Sequence, residues 1–158
     1  MTGTAPQRSM HIHHCAISAP DVEASIAWYR EMLGFEVVWR TIIPGLNVTL
    51  VQMRGAGFLL ELFQVPGAAP LPEGRSHPNT DFRTHGVKHF AIEVSDAPEF
   101  VKELQAKGVE VVHVAVFEGT YGAFILDNSG NLIEIWQYQQ PPAGSGSANE
   151  TRQSGSRT

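Results

Sequence analysis

"HCAISAPD" (14–21) and "HFAIEVSD" (89–96) are two copies of one pattern, and this repetition decides the fold of the chain. In each copy a histidine opens a short apolar segment of strand length, and an aspartate follows the histidine by seven residues. An aspartate directly before an amphipathic segment is typical of a helix N-cap, so Asp21 and Asp96 predict the starts of two equivalent helices. The chain therefore contains an internal repeat.

The same order of elements follows each aspartate. Apolar residues recur at helical spacing, and a glycine then ends the helix, Gly34 in the first copy and Gly108 in the second. Segments rich in β-branched residues come next, with hairpin turns at "RGAG" (54–57) and "DNSGN" (127–131). Each half thus predicts the order β, α, β, β, β. The predicted fold class is α+β, with two βαβββ modules and mixed sheets.

Composition divides the chain into five segments. We expect a disordered N-terminus at 1–9, module 1 at 10–64, module 2 at 87–138 and a disordered Gly- and Ser-rich tail at 139–158. The remaining segment, 65–86, is long and proline-rich, and it predicts a linker that acts as a lid.

The charge balance excludes several kinds of partner. The chain of 158 residues has a formal net charge of -5, and its 11 lysines and arginines are scattered. We therefore expect a small-molecule substrate, with neither nucleic acid nor membrane as a partner. Cys15 is the only cysteine, and the first residues lack the apolar core of a secretory signal, which together favour a cytoplasmic protein.

Polar residues stand at matching places in the two copies. Glu61 lies 47 residues after His14, and Glu134 lies 45 residues after His89. Each glutamate is flanked by large apolar residues, so strand alternation predicts that both point away from the helix layer, toward the concave side of a curved sheet. Two imidazoles and two carboxylates brought together by a two-fold repeat would bind a divalent transition metal. The repeat selects His14, and not its neighbours His11 and His13, as the ligand.

These motifs resemble the vicinal oxygen chelate superfamily, the group of glyoxalases, bleomycin resistance proteins and extradiol dioxygenases. The resemblance rests on "HHCAISAPD" (13–21), "LLELF" (59–63), "GVKHFAIEV" (86–94) and "GNLIEIW" (130–136). It implies two βαβββ modules cupped around one metal, with His14, Glu61, His89 and Glu134 as ligands. This ligand set is similar to that of bacterial glyoxalase I, which implies nickel or cobalt, with zinc, manganese or iron as alternatives. It also implies a homodimer, in which the metal site forms either within one chain or between two chains.

The resemblance implies a lyase or isomerase that removes a proton beside a carbonyl and stabilises a metal-bound enediolate. A glutamate at the metal would act as the base, and Glu134 is favoured, with Glu61 as a ligand or second proton shuttle. Three substrate contacts are expected. Gly119 and Gly122 indicate a flexible stretch around Tyr121 next to the site, and Arg83 and His85 lie in the linker.

Three positions argue against glutathione as the co-substrate. The family places an arginine four residues after the first ligand, an asparagine four after the second and, in some members, an arginine four before the third. This chain has Ser18, Val65 and His85 there. The expected substrate is therefore another small oxygenated metabolite.

Two alternatives remain open. The subset His14, His89 and Glu134 would suit an Fe(II) extradiol dioxygenase, although Phe124 and Asn128 depart from that signature. A second alternative is a non-catalytic, metal-free protein that sequesters a drug or other ligand in an aromatic groove, lined by Trp28, Trp39, Phe58, Phe63, Phe117, Tyr121 and Trp136.

Overall fold

The computed structural model describes residues 9–138, so the predicted disordered ends lie outside the described residues except for Ser9. The first half contains five elements: β1 (His14–Ser18), α1 (Val22–Leu33), β2 (Glu36–Ile43), β3 (Val48–Gly55) and β4 (Phe58–Gln64). The linker contains a 3-10 helix (Glu73–Arg75) and α2 (Pro78–Asp81). The second half repeats the first: β5 (Phe90–Glu93), α3 (Ala97–Ala106), β6 (Val111–Phe117), β7 (Thr120–Leu126) and β8 (Leu132–Tyr138).

Both halves form the same four-stranded mixed sheet. The strand orders are β1-β4-β3-β2 and β5-β8-β7-β6. The first strand of each half pairs in parallel with the last, and the other pairs are antiparallel. A register shift occurs at the same place in both outer strands, between Val37 and Trp39 in β2 and between Val111 and His113 in β6. The prediction of an α+β fold with two βαβββ modules is confirmed.

The helices begin where the repeated aspartates predict. The Asp21 carboxylate accepts hydrogen bonds from the backbone N–H groups of Glu23 and Ala24, and Asp96 accepts one from Glu99. These bonds satisfy donors that a helix N-terminus leaves unpaired. Gly34 ends α1 in the left-handed conformation, at a φ of 70°, which favours glycine over other residues.

Each sheet buries one face against its helix. Leu60, Leu62, Ile133 and Ile135 are all 0% exposed on this helix face. Because side chains alternate along a strand, the residues between them point to the opposite face, here called the site face. The site face of the first sheet carries Glu61, and that of the second carries Glu134.

The two halves share one hydrophobic core. The rings of Phe58 and Phe90, from the first residues of β4 and β5, pack edge to face with centroids 5.6 Å apart. In the same interface, the Tyr29 hydroxyl of α1 donates a hydrogen bond of 2.9 Å to the Asp127 carboxylate, which follows β7. Both side chains are buried, so this bond ties the first module to the β7–β8 turn of the second.

The buried hydroxyl of Tyr29 should make the folded protein less stable at high pH. Burial raises the pKa of its hydroxyl well above the usual value of 10.0, and the Asp127 carboxylate raises this pKa further. Above about pH 10 the unfolded chain releases the phenolic proton while the folded chain keeps it, so the free energy of unfolding falls as pH rises. Urea unfolding between about pH 8 and pH 11 should show a steeper decline for the wild type than for Tyr29→Phe. Equal slopes would contradict this.

The linker is more structured than a proline-rich loop. Asp81, at the end of α2, is 1% exposed, and its Oδ1 lies 3.0 Å from Arg75 Nε and 3.4 Å from Lys88 Nζ. Arg75 also donates to the backbone carbonyl of Val87, and Lys88 donates to those of Asp81 and Thr84. This ion cluster joins the middle of the linker to the residues directly before His89.

Removing the Asp81 carboxylate should destabilise the linker. Asp81→Ala leaves two partly buried cations without a counter-charge, which should lower the free energy of unfolding by about 2 kcal/mol, less than for a fully buried pair. Urea unfolding measures the loss, with the exposed Glu73→Ala of the same segment as the control. If Asp81→Ala loses no more free energy of unfolding than Glu73→Ala, the ion cluster does not stabilise the fold.

None of the helices within 9–138 is long and apolar enough to cross a membrane.

Candidate metal centre

The first predicted pair of ligands lies on the parallel strands β1 and β4. His14 Nε2 is 3.6 Å from Glu61 Oε2, with side chains 42% and 12% exposed. The register pairs Ala16 with Glu61. His14 precedes Ala16 by two residues on the same face of β1, so its imidazole reaches along the strand toward the carboxylate. The side chains of both residues therefore lie on the site face of the first sheet.

The second pair repeats this arrangement in the other half. His89, directly before β5, places Nε2 3.1 Å from Glu134 Oε2 on β8. Their side chains are 22% and 12% exposed, so this pair is the more enclosed of the two. The Phe124 ring packs edge to face on the His89 imidazole, with centroids 5.0 Å apart. An apolar wall thus lies beside the second pair.

The donor atoms of both pairs fit a metal ion. Two ligands that bind one ion at about 2.1 Å, at angles between tetrahedral and octahedral, are about 3.0 to 3.4 Å apart. The separation of 3.1 Å in the second pair falls within that range, and the separation of 3.6 Å in the first pair is slightly longer. His89 Nδ1 is buried and makes no hydrogen bond with any described residue. A ligand histidine usually donates its second ring N–H to a carboxylate, a carbonyl or water, and no described protein group fills that role for His89.

The structure brings the four predicted ligands together as two pairs. Over 9–138 no group of three or more His, Cys, Asp or Glu side chains is close enough to hold one ion. A cavity of about 190 Å³ lies between β1 and β5, and its lining includes Ala16, Lys88 and His89. Of the four predicted ligands, this cavity is lined by His89 alone.

Two residues beside the glutamates have no counterpart in the sequence-based prediction. Gln52, opposite Glu61 on β3, donates a hydrogen bond of 2.6 Å from Nε2 to Glu61 Oε1. Gly122 is buried in β7, and a Cβ there would lie 2.6 Å from Glu134 Oε1. The sequence around Gly122 suggests a flexible stretch, but the structure places it inside a strand. Only the strand register, which the sequence leaves undetermined, would have identified either residue.

The neighbours of His14 differ in part from what strand alternation predicts. His13 precedes β1, and its Nδ1 lies 2.9 Å from His14 Nδ1 instead of on the opposite side of the sheet. His11 is exposed, outside the strand. Cys15 lies on the helix face against the core, and burial raises the pKa of its thiol. Cys15 is therefore placed as a packing residue.

The linker reaches the site face of the second sheet. His77, the N-cap of α2, packs its ring against His113 of β6, with centroids 5.6 Å apart. His113 lies next to Phe124, with ring centroids 6.1 Å apart, and Phe124 in turn contacts His89. The linker therefore covers part of the surface beside the second pair.

One of the three predicted substrate contacts, Tyr121, points away from the two pairs. Tyr121 lies on the helix face of β7, where it packs against the core, and Glu134 is on the opposite face of the sheet. This placement contradicts a substrate role for Tyr121, because strand alternation turns it away from the site. Arg83 and His85 are exposed in the linker after α2.

The aromatic residues predicted to line a ligand-binding groove are divided between the core and the exposed surface. Trp28, Phe58 and Tyr121 pack against the core. Trp39 and Phe117, in the two outer strands, are 48% and 67% exposed. The seven aromatic residues thus do not line one continuous groove.

Fold and site together define a class of protein built from two βαβββ modules, each with a His–Glu pair on its site face. The chain belongs to the Glyoxalase/Bleomycin resistance protein/Dioxygenase superfamily, whose family model matches residues 11–135.

Three relatives illustrate the range of the family. The chain is 34% identical over 130 residues to the uncharacterized protein YwkD of Bacillus subtilis, covering 80% of this chain and 95% of that protein. It is 27% identical over 135 residues to the mitochondrial methylmalonyl-CoA epimerase of Homo sapiens, covering 80% and 73%. Among solved structures, the trypanothione-dependent glyoxalase I of Leishmania major superposes with a TM-score of 0.64 at 26% identity, covering 83% and 88%. Isomerase and lyase chemistry both occur among these relatives.

Proposed function

We propose that this protein is a metal-dependent lyase or isomerase that removes a proton beside the carbonyl of a small oxygenated metabolite. The observation that carries the proposal is the duplicated pair: a histidine and a glutamate at equivalent positions of both sheets, 3.6 and 3.1 Å apart. A single such pair is common in proteins, whereas two pairs related by an internal repeat match the ligand requirement of one divalent ion.

His14, Glu61, His89 and Glu134 would hold the ion, with nickel or cobalt favoured and zinc, manganese or iron as alternatives. When bound, it supplies Lewis-acid stabilisation of the negative charge that develops on a carbonyl oxygen. The Glu134 carboxylate accepts the proton from the carbon next to that carbonyl and returns it to the same or a neighbouring carbon. Phe124 and Trp136 flank this glutamate and limit the access of water.

The substrate class follows from what the site lacks. Ser18, Val65 and His85 offer none of the polar groups that the resemblance associates with glutathione, which supports a substrate without it. The likeness to a methylmalonyl-CoA epimerase makes a carboxylated acyl-CoA thioester the first compound to test. A homodimer is part of the proposal, and light scattering of the purified protein tests it.

The test combines elemental analysis with proton exchange. We expect the purified protein to contain a divalent transition metal, and to incorporate deuterium from D₂O into methylmalonyl-CoA, a 2-oxo acid or the hemithioacetal of a small thiol, as followed by mass spectrometry. Removal of the metal with a chelator should stop the exchange, and nickel or cobalt should restore it.

Two results would overturn the proposal. Oxygen consumption with a catechol would favour the dioxygenase alternative. A protein that contains no metal and is not activated by nickel, cobalt, manganese, zinc or iron would favour the sequestering alternative.

A further inference from the structure

One oxygen of the Glu61 carboxylate is held by a hydrogen bond, and the other lies 3.6 Å from His14, beyond hydrogen-bond distance. Oε2 faces His14 Nε2, and Oε1 accepts the hydrogen bond of 2.6 Å from Gln52. Gln52 stands directly opposite Glu61 in the β3–β4 register, and Leu50 occupies the next position of β3 on the same face. Rotation of this carboxylate would break the hydrogen bond to Gln52.

The carboxylate of Glu134 is held at one oxygen. Oε2 faces His89 Nε2, while no described residue donates a hydrogen bond to Oε1. Phe124 stands at the register position that Gln52 occupies in the first sheet, and Gly122 stands at that of Leu50. Glu134 Oε1 lies only 2.6 Å from where a Cβ of residue 122 would be. The missing side chain of Gly122 therefore creates a recess into which this carboxylate already points.

We propose that Gln52 and Gly122 are positioning residues that give the two glutamates different roles. With an ion bound, Gln52 would keep Glu61 in place as a ligand, and the recess at Gly122 would let the Glu134 carboxylate turn away from His89 and act as the base. This inference rests on the proposed function, because it assumes the four-residue metal site. It specifies which glutamate moves and which residues decide that.

The role proposed for Gln52 is tested by measuring the affinity of the protein for a metal ion. The apo protein is titrated with Ni²⁺ in competition with a chromophoric chelator. Gln52→Leu should raise the Kd for Ni²⁺ about tenfold or more, as is typical when the partner of a metal ligand is lost. The control is Gln64→Leu, since Gln64 also uses its side-chain amide, accepting from the backbone N–H of Val22 at the start of α1. Gln64→Leu should lower the Tm with no change in Kd. An unchanged Kd in Gln52→Leu would overturn this half.

The Gly122 half is tested with acetohydroxamate, which binds metal ions through two neighbouring oxygens. We expect Gly122→Ala to bind Ni²⁺ within about threefold of the wild type but to bind acetohydroxamate about tenfold more weakly, because Glu134 can no longer retreat. Gln52→Leu should keep the acetohydroxamate affinity of its nickel-loaded form. The control is Gly55→Ala, whose Cβ would lie 2.5 Å from the buried Phe35 ring and should lower the Tm without touching either glutamate.

These outcomes separate the two proposals. If wild-type protein binds no Ni²⁺, the proposed function and this inference both fail. If it binds Ni²⁺ but Gly122→Ala binds acetohydroxamate as tightly as the wild type, only the division of roles between the glutamates is overturned.

Discussion

Glu134→Gln is expected to abolish proton abstraction, lowering the rate of deuterium exchange about 100- to 10,000-fold, the usual contribution of a general base. The amide has the shape of the carboxylate but accepts no proton, and it is a poorer ligand for a divalent ion. Ni²⁺ affinity should therefore fall as well. The fold should be unaffected, because the side chain lies on the site face and not in the helix-face core.

Glu93→Gln is the matched control for this variant. Glu93 lies on β5, four residues after His89 and on the same face of the sheet, and its side chain is exposed. Its replacement should change neither exchange nor Ni²⁺ affinity. Full activity in Glu134→Gln would show that the site is misassigned.

Asp127→Ala should give the largest loss of stability outside the apolar core. The Asp127 carboxylate is 5% exposed and accepts hydrogen bonds from Tyr29 Oη, from the backbone N–H groups of Ser129 and Asn131, and from Asn131 Nδ2. Alanine leaves these donors unpaired, including the buried Tyr29 hydroxyl, and should lower the free energy of unfolding by about 3 kcal/mol or more.

Urea unfolding of Asp127→Ala measures this loss, and Asn128→Ala is its control, since Asn128 is the exposed neighbour in the same turn. Tyr29→Phe removes a single hydrogen bond and should fall between the two variants. If Asp127→Ala and Asn128→Ala unfold at the same urea concentration, the turn does not depend on the buried carboxylate.

The fold was predictable because both halves of the sequence carry the same pattern of strand, helix and turn signals. Asp21 and Asp96 are local signals, and each is confirmed by hydrogen bonds to the first turn of its helix. The placement of Glu61 and Glu134 away from the helices followed from strand alternation between buried residues. Repetition made weak signals strong, since a match at equivalent positions of both halves is hard to obtain by chance.

The rest depended on contacts that no local pattern encodes. Gln52 and Gly122 matter only through the strands they pair with, and pairing register is set by the assembled sheet. Tyr121 was expected at the site because of the glycines around it, but the alternation of β7 directs it to the core. Asp81 was unremarkable in sequence, because its burial depends on Arg75 and Lys88 closing around it.

The positions beside the two glutamates carry a consequence for how such a protein evolves. A site assembled from two identical single-module chains has to place the same residue beside both carboxylates, so the two would remain chemically equivalent. Joining the modules in one chain removes that constraint. Gln52 and Phe124 now occupy the same register position in the two sheets, as do Leu50 and Gly122. Gene fusion thus allows a symmetric scaffold to evolve an asymmetric reaction centre, in which each half is free to specialise.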